Sequence, residues 1–267
     1  MSSNRRSFEA AMTTLYKRYV AVGDSTTEGL DDPDGTGGYR GWANRLAEKL
    51  AQQQGSVLYA NLGIRGRIAK QIRAEQLETA VAMRPELATV VAGMNDLMRP
   101  GFDANDVGAD VEAMQRPLIE QGAVVLTFTL PDLRPIMPLA RLLGDRTLRL
   151  NDALRQACER SGARLVDFAA YPVAGDPRLW SDDRLHANSA GHARIAEALA
   201  YVAGVPGSSD AWMQPLPDPP APRFGDAIRA EVAWARAHFL PWLWRHMRGR
   251  SSGDGRAAKR PQLAPFP

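Results

Sequence analysis

One feature constrains this chain more than any other: over its first two hundred residues, short apolar runs alternate with amphipathic stretches. Tyr19–Gly23 (YVAVG) is apolar without interruption, as strands buried on both faces are. Gly41–Gln53 follows with Trp42, Leu46 and Leu50 at four-residue spacing, which predicts a helix. The same exchange repeats four times. Val57–Leu62 precedes a helical pattern over Ile68–Met83, and Glu86–Ala92 precedes Ala104–Gln121. Ala123–Thr129 precedes Leu139–Ser161, and Ala163–Phe168 precedes Ser189–Val202, whose N-cap is Asn188. Strands separated by helices pair in parallel and need cover on both faces. The expected fold class is therefore α/β, doubly wound about a five-stranded parallel sheet. Ligands on such sheets bind beyond the carboxyl ends of the strands, so chemistry is expected just after Gly23, Leu62, Ala92 and Thr129.

Composition excludes several other readings. Apolar residues make up 45% and charged residues 24% of the chain, ordinary globular usage. The single cysteine, Cys158, rules out an internal disulfide, so a disulfide-built scaffold is not available. No run reaches the ~20 apolar residues of a membrane-spanning helix. The Arg5–Arg6 pair near the start resembles that of an export signal, but Glu9, Thr13, Thr14 and Lys17 interrupt the apolar segment that should follow. A cytoplasmic location is the expectation. Charge is uneven: residues 1–222 carry 24 basic and 27 acidic side chains, whereas residues 223–267 carry 9 and 3. The basic excess belongs to the tail, and the body has no electrostatic case for binding nucleic acid.

The strand ends hold the candidate reacting groups. The first runs into Gly23-Asp24-Ser25, which puts a serine hydroxyl at the sheet's carboxyl edge; read alone, such a serine is more often a turn or cap residue. Thr27 replaces the second glycine of an α/β-hydrolase elbow, so that motif is absent. The second strand ends at Gly63, where the backbone can be approached closely; Asn61 stands where a dinucleotide fingerprint needs its first glycine. The third ends in Gly93-Met94-Asn95-Asp96, and the Asn95 amide can reach the same crevice or serve a local turn. Before the last helix, Asp183 precedes His186 by three residues. From there a carboxylate can hold the ring Nδ1–H and leave Nε2 as a base. Asp182 is the rival orienting carboxylate, and His192 is read as structural or surface. A metal cluster of His186, His192, Asp182 and Asp183 lacks any recognised ligand spacing.

These four blocks, in this order, resemble those of the SGNH hydrolases, also called the GDSL esterase/lipase family. The resemblance spans residues 19–203. Thr26 stands where the family name carries leucine, and Ala187 where proline often follows the histidine; neither touches a reacting group. The resemblance implies a flavodoxin-like three-layer sandwich and a serine hydrolase that cleaves carboxylic esters with no cofactor and no metal. Ser25 would be the nucleophile, His186 the base and Asp183 its orienting partner. The oxyanion hole would comprise the Ser25 and Gly63 backbone N–H groups and the Asn95 amide, each such donor being worth about 3 kcal/mol of barrier. Short- and medium-chain esters, acetylated sugars and lipids are the implied substrates. An acyltransferase with the same triad and a non-catalytic binding protein on the same fold are the alternatives. Met98–Asp106 and the loop Pro131–Pro138, with Leu133, Ile136 and Met137, are expected to flank the site and offer apolar surface to an acyl chain. Arg40 or Arg65 is a candidate for meeting an anionic group.

The hydrolase domain is expected over residues 1–204, followed by a proline-rich linker at 205–224. Residues 225–248 have a helical pattern, with Ile228, Val232, Ala235 and Phe239 on one seam. That segment is expected to pack on the body or on a second subunit, with contact to an anionic membrane surface as the alternative. Residues 249–267 are polar, basic and proline-bearing, and are expected to be a disordered tail.

Overall fold

The computed structural model describes residues 16–136, 143–217, 253 and 255–266. Five parallel strands form as expected: β1 (Arg18–Val22), β2 (Val57–Asn61), β3 (Leu87–Val90), β4 (Val124–Phe128) and β5 (Arg164–Val166). The helices are α1 (Ser25–Glu28), α2 (Gly41–Gln54), α3 (Ala69–Ala82), α4 (Met94–Leu97), α5 (Ala104–Glu120), α6 (Gly144–Ser161) and α7 (Ser189–Ala203). The continuous apolar character of β1 is explained by its neighbours. Val20 and Val22 face the layer that includes Ile72 and Leu118, while Tyr19 and Ala21 face Trp42, Leu46 and Leu199. Helices α3, α5 and α6 thus cover one face of the sheet, and α2 and α7 the other. Helix α7 begins as expected, with the Asn188 side chain accepting from Ala190 N and Gly191 N.

Strand order is β5-β4-β3-β1-β2-β6. The order reverses direction between β1 and β3, so the helices that follow these strands leave on opposite faces and open a crevice there. The Gly23, Gly63 and Gly93 blocks end β1 and its two neighbours, which brings them to that one crevice.

Two expectations about the chain's second half are corrected. The tail is not wholly disordered: Arg260–Phe266 forms a sixth strand, β6, antiparallel to β2. The Phe266 ring meets Tyr59 edge-on at 5.4 Å, and the Arg260 guanidinium stacks over both rings. Pro261 and Pro265, which suggested disorder, are tolerated because an edge strand can turn its missing donors to solvent. The linker, too, is built into the body through residue 217. Trp212, 5% exposed, packs against Phe168 and Tyr171, and Arg194 donates to the carbonyls of Trp212 and Gln214. The helical segment expected at 225–248 lies outside the described residues.

Candidate active site

Ser25 reaches the crevice through a short, heavily tied turn. Strand β1 ends at Val22, and Gln76 of α3 clamps Gly23 by accepting from its N–H and donating to its carbonyl, both at 2.9 Å. Asp24 caps α1: its Oδ1 accepts from Thr26 N and Thr26 Oγ1, and its Oδ2 accepts from the Asn95 amide at 2.9 Å. Burial pushes the Asp24 carboxyl upward, against those hydrogen bonds and the charge of His186. The sequence showed Asp24 only as part of a block, whereas its carboxylate physically joins two of the four.

The histidine arrives from the other side. Ser181 N donates to the His186 carbonyl and Arg184 N to the Ser181 carbonyl, folding residues 181–186 into a tight turn. Asp183 holds that turn from inside, its Oδ1 accepting from Leu185 N and His186 N. Its Oδ2 lies 2.6 Å from His186 Nδ1, and His186 Nε2 lies 2.8 Å from Ser25 Oγ. An ionised carboxylate only accepts, so Nδ1 carries the hydrogen and bare Nε2 faces the serine hydroxyl. Burial opposes ionisation of Asp183, but the hydrogen bond and charge of His186, with Ser181 and the His186 N–H, hold it well below the ordinary carboxylate range. Burial likewise opposes charging of His186, which is 9% exposed; hydrogen bonding to Asp183 and the charges of Asp183, Asp31 and Asp24 outweigh it and raise its pKa.

The structure thus brings Ser25, His186 and Asp183 into one hydrogen-bonded line, and Asp182 is not in it. His192, read as structural or surface, is buried: Nδ1 accepts from Trp42 N and Nε2 donates to the Leu30 carbonyl.

Gly63 and Asn95 border the same crevice, with their donors turned to internal acceptors. Gly63 N donates to Asn61 Oδ1 at 3.0 Å, and Asn95 Nδ2 donates to both Asp24 Oδ2 and the Arg67 carbonyl. Among the described residues, Ser25 N has no acceptor. A side chain at position 63 is excluded, since a Cβ there would lie 2.8 Å from Glu28 N and 3.0 Å from the Asp24 carbonyl. Asn61, noticed in the sequence only as a failed fingerprint glycine, is the fully buried residue that holds the Gly63 turn.

The expected apolar flank is corrected in part. Leu133 and Ile136 are each 4% exposed and belong to the core between the sheet and α5–α6, so they offer no surface; Met137 lies outside the described residues. An apolar cavity of about 70 Å³ adjoins His186, walled by Thr26, Met94, Leu130, Trp180 and Leu185, and of the loop's described residues only Pro131 reaches it. Arg65 and Arg40 do not wait for an anion, because each is ion-paired, Arg65 with Glu28 and Arg40 with Glu48. Asp31, Asp183 and His186 lie close enough to hold a cation, and form the one such group among the described residues. However, an ion bound to Nδ1 there would displace the 2.6 Å bond to Asp183.

Known proteins align with this arrangement. The model of the GDSL-like lipase/acylhydrolase family matches residues 21–194. An acetylxylan esterase of Geobacillus stearothermophilus is 25% identical over 216 residues, covering 70% of this chain and 94% of the relative. A GDSL lipase of Mycobacterium tuberculosis is 28% identical over 189 residues, covering 68% of this chain and 79% of the relative. Among solved structures, an acetyl-xylooligosaccharide esterase of Geobacillus superposes with a TM-score of 0.60 at 18% identity, over 73% of this chain and 97% of that one. The match runs from within β1 into α7 and takes in the Ser25 turn, the Gly63 and Asn95 strand ends and the Asp183–His186 turn, so the chain belongs to the GDSL-like lipase/acylhydrolase family.

Proposed function

We propose that this chain hydrolyses esters of short carboxylic acids through an acyl-enzyme on Ser25. The observation that carries the reading is the unbroken line from Ser25 Oγ through His186 to Asp183, at 2.8 and 2.6 Å. Ser25 Oγ attacks the acyl carbonyl while His186 Nε2 takes its proton; the proton then passes to the leaving alcohol. Asp183 keeps its charge and faces the imidazolium as it forms. Water repeats the sequence to release the acid. Negative charge on the carbonyl oxygen draws the Ser25 N–H, and competes with neutral Asn61 Oδ1 for Gly63 N and with the Arg67 carbonyl for the Asn95 amide. Charge-assisted hydrogen bonds are roughly twice as strong as neutral ones, which favours that exchange.

The cavity beside His186 supports a short acyl group. Its volume of about 70 Å³ is half that of the ~150 Å³ cavity that takes benzene, room for a chain of two to four carbons. An acetyl ester on a sugar, the kind of substrate for which the Geobacillus acetylxylan esterase is named, fits that size. A fluorophosphonate probe is expected to label the wild-type protein and not Ser25→Ala. A p-nitrophenyl ester series should peak between acetate and butyrate. Absence of labelling in folded protein would favour a non-catalytic binding role, a preference for long chains would refute the cavity assignment, and transfer of the acyl group to added alcohols in place of water would make the chain an acyltransferase.

A further inference from the structure

His186 faces a second carboxylate that belongs to none of the four sequence blocks. Asp31 Oδ2 lies 3.9 Å from His186 Nδ1. It also lies 2.6 Å from Ser181 Oγ, which in turn lies 2.7 Å from Asp183 Oδ1. One serine hydroxyl has one hydrogen to give, so it serves one carboxylate at a time and ties both to the same point. Among the described residues Ser181 is the only hydrogen-bond partner of the Asp31 carboxylate. Asp183 keeps its two backbone donors whichever way the hydroxyl turns.

Local backbone conformation aims this carboxylate. Asp31 has φ +65°, the left-handed region that a non-glycine residue enters at a cost and Asp or Asn enters most readily. The next residue, Asp32, turns away to pair with Arg45 and to accept from Gly41 N and Ser189 Oγ. Two adjacent aspartates thus do separate jobs: Asp32 ties the loop to α2 and α7, and Asp31 looks into the crevice.

We propose that Asp31 is a positioning residue for the general base: through Ser181 it fixes the Asp183–His186 turn, and it sets a second negative charge beside the imidazolium that forms as Ser25 attacks. The proposal rests on the esterase reading. No extra proton is moved, since Asp31 acts through its charge and through Ser181. The other titratable groups around the ring are Asp183 from its own turn, Asp24 from the end of β1 and neutral His192 from α7. Removing Asp31's charge leaves two carboxylates of three, so the imidazolium is less favoured and the base becomes weaker.

The test is Asp31→Asn, which keeps the shape and tolerates the left-handed backbone, paired with Ser181→Ala, which removes the bridge and keeps the charge. In Asp31→Asn the His186 titration followed by NMR should move to lower pH by about half a unit or more. The acid limb of kcat/KM should follow, with kcat about three- to tenfold lower and KM unchanged. Ser181→Ala should lower kcat with a smaller displacement of the limb. An unmoved His186 titration in folded Asp31→Asn overturns the proposal, as does a change in KM alone. The NMR titration needs no ester turnover. A wild-type protein that labels no probe and cleaves no ester overturns the esterase reading, while the titration judges Asp31 by itself.

Discussion

Two histidines six residues apart, His186 on its turn and His192 in the first turns of α7, are both buried and yet suited to opposite tasks. His186 is surrounded by Asp183, Asp31 and Asp24, so burial is outweighed and its pKa rises. His192, 1% exposed, is held between the Trp42 N–H and the Leu30 carbonyl, and burial pushes it down to about 4. Burial alone therefore says little about what a histidine does. The groups at its two nitrogens decide: a carboxylate and a hydroxyl suit a ring to proton transfer, whereas two backbone groups make a neutral strut that joins α2, α7 and the loop after α1.

The comparison is broken most directly by exchanging the two losses. His186→Ala should lower kcat by about 10⁴-fold or more while the melting temperature stays near wild type, since the proposed base is lost and little packing with it. His192→Ala should do the reverse. It strands a buried N–H and a buried carbonyl, each costing about 1–3 kcal/mol, with kcat per folded molecule retained. Steady-state kinetics beside thermal melts reads both, and a His192→Ala enzyme that is stable yet inactive would give His192 a chemical role.

A pH series sharpens the same contrast. His192 moves from 6.5 to about 4 on folding, so its neutral form belongs to the folded state. That contribution is complete above pH 6.5 and is lost as pH falls through 4, to a limit of about 3 kcal/mol. His186 runs the other way. Its raised pKa adds stability below pH 6.5 that is lost as pH climbs through the folded value, and its neutral form, which the proposed mechanism needs, is depleted as pH falls below that value. The stability gap between wild type and His192→Gln should therefore narrow from pH 7 to pH 4, and activity should fall at a higher pH than the gap closes. A gap independent of pH would show that His192 titrates as it does in the unfolded chain. The smallest effect is expected from Asp182→Asn. Asp183 supplies the hydrogen bond to Nδ1, so kcat should stay within about twofold; a larger loss would reopen the choice between the two aspartates.

What could be read from the sequence divides along the range of the interactions. Ser25, Gly63 and Asn95 are legible together because a parallel sheet sends its strand ends to one edge, so three separate blocks converge without knowledge of a single long-range contact, and His186 joins them from the turn before α7. The placement of Asp183 against His186 is legible because the two lie three residues apart on one turn. The approach of Asp31 to His186 is not legible, because its partner Ser181 lies 150 residues away and an aspartate in a Leu-Asp-Asp-Pro stretch looks like an ordinary turn residue. The occupied state of the Gly63 and Asn95 donors was equally hidden, since it depends on where Asn61, Asp24 and the Arg67 carbonyl sit in space. Strand β6 and Trp212 were missed for a different reason. Proline and charge dominate the composition of these segments, whereas what orders them is a few aromatic contacts to a surface already built.

Strand β6 also carries a consequence for how the molecule assembles. The other pairings join strands that follow one another in the chain or, for β1 and β3, are separated only by β2, and can form as each βαβ unit is completed. The β2–β6 pairing closes a loop of roughly two hundred residues, and such closures form late because their entropy is lost before any contact repays it. During synthesis from the N-terminus, the outer edge of β2 stays unpaired while everything between it and β6 is made, leaving a row of free N–H and C=O groups open to another nascent chain. The last contact to form is thus the one that withdraws the sheet from intermolecular pairing, and yield on refolding should depend on chain concentration until it is made.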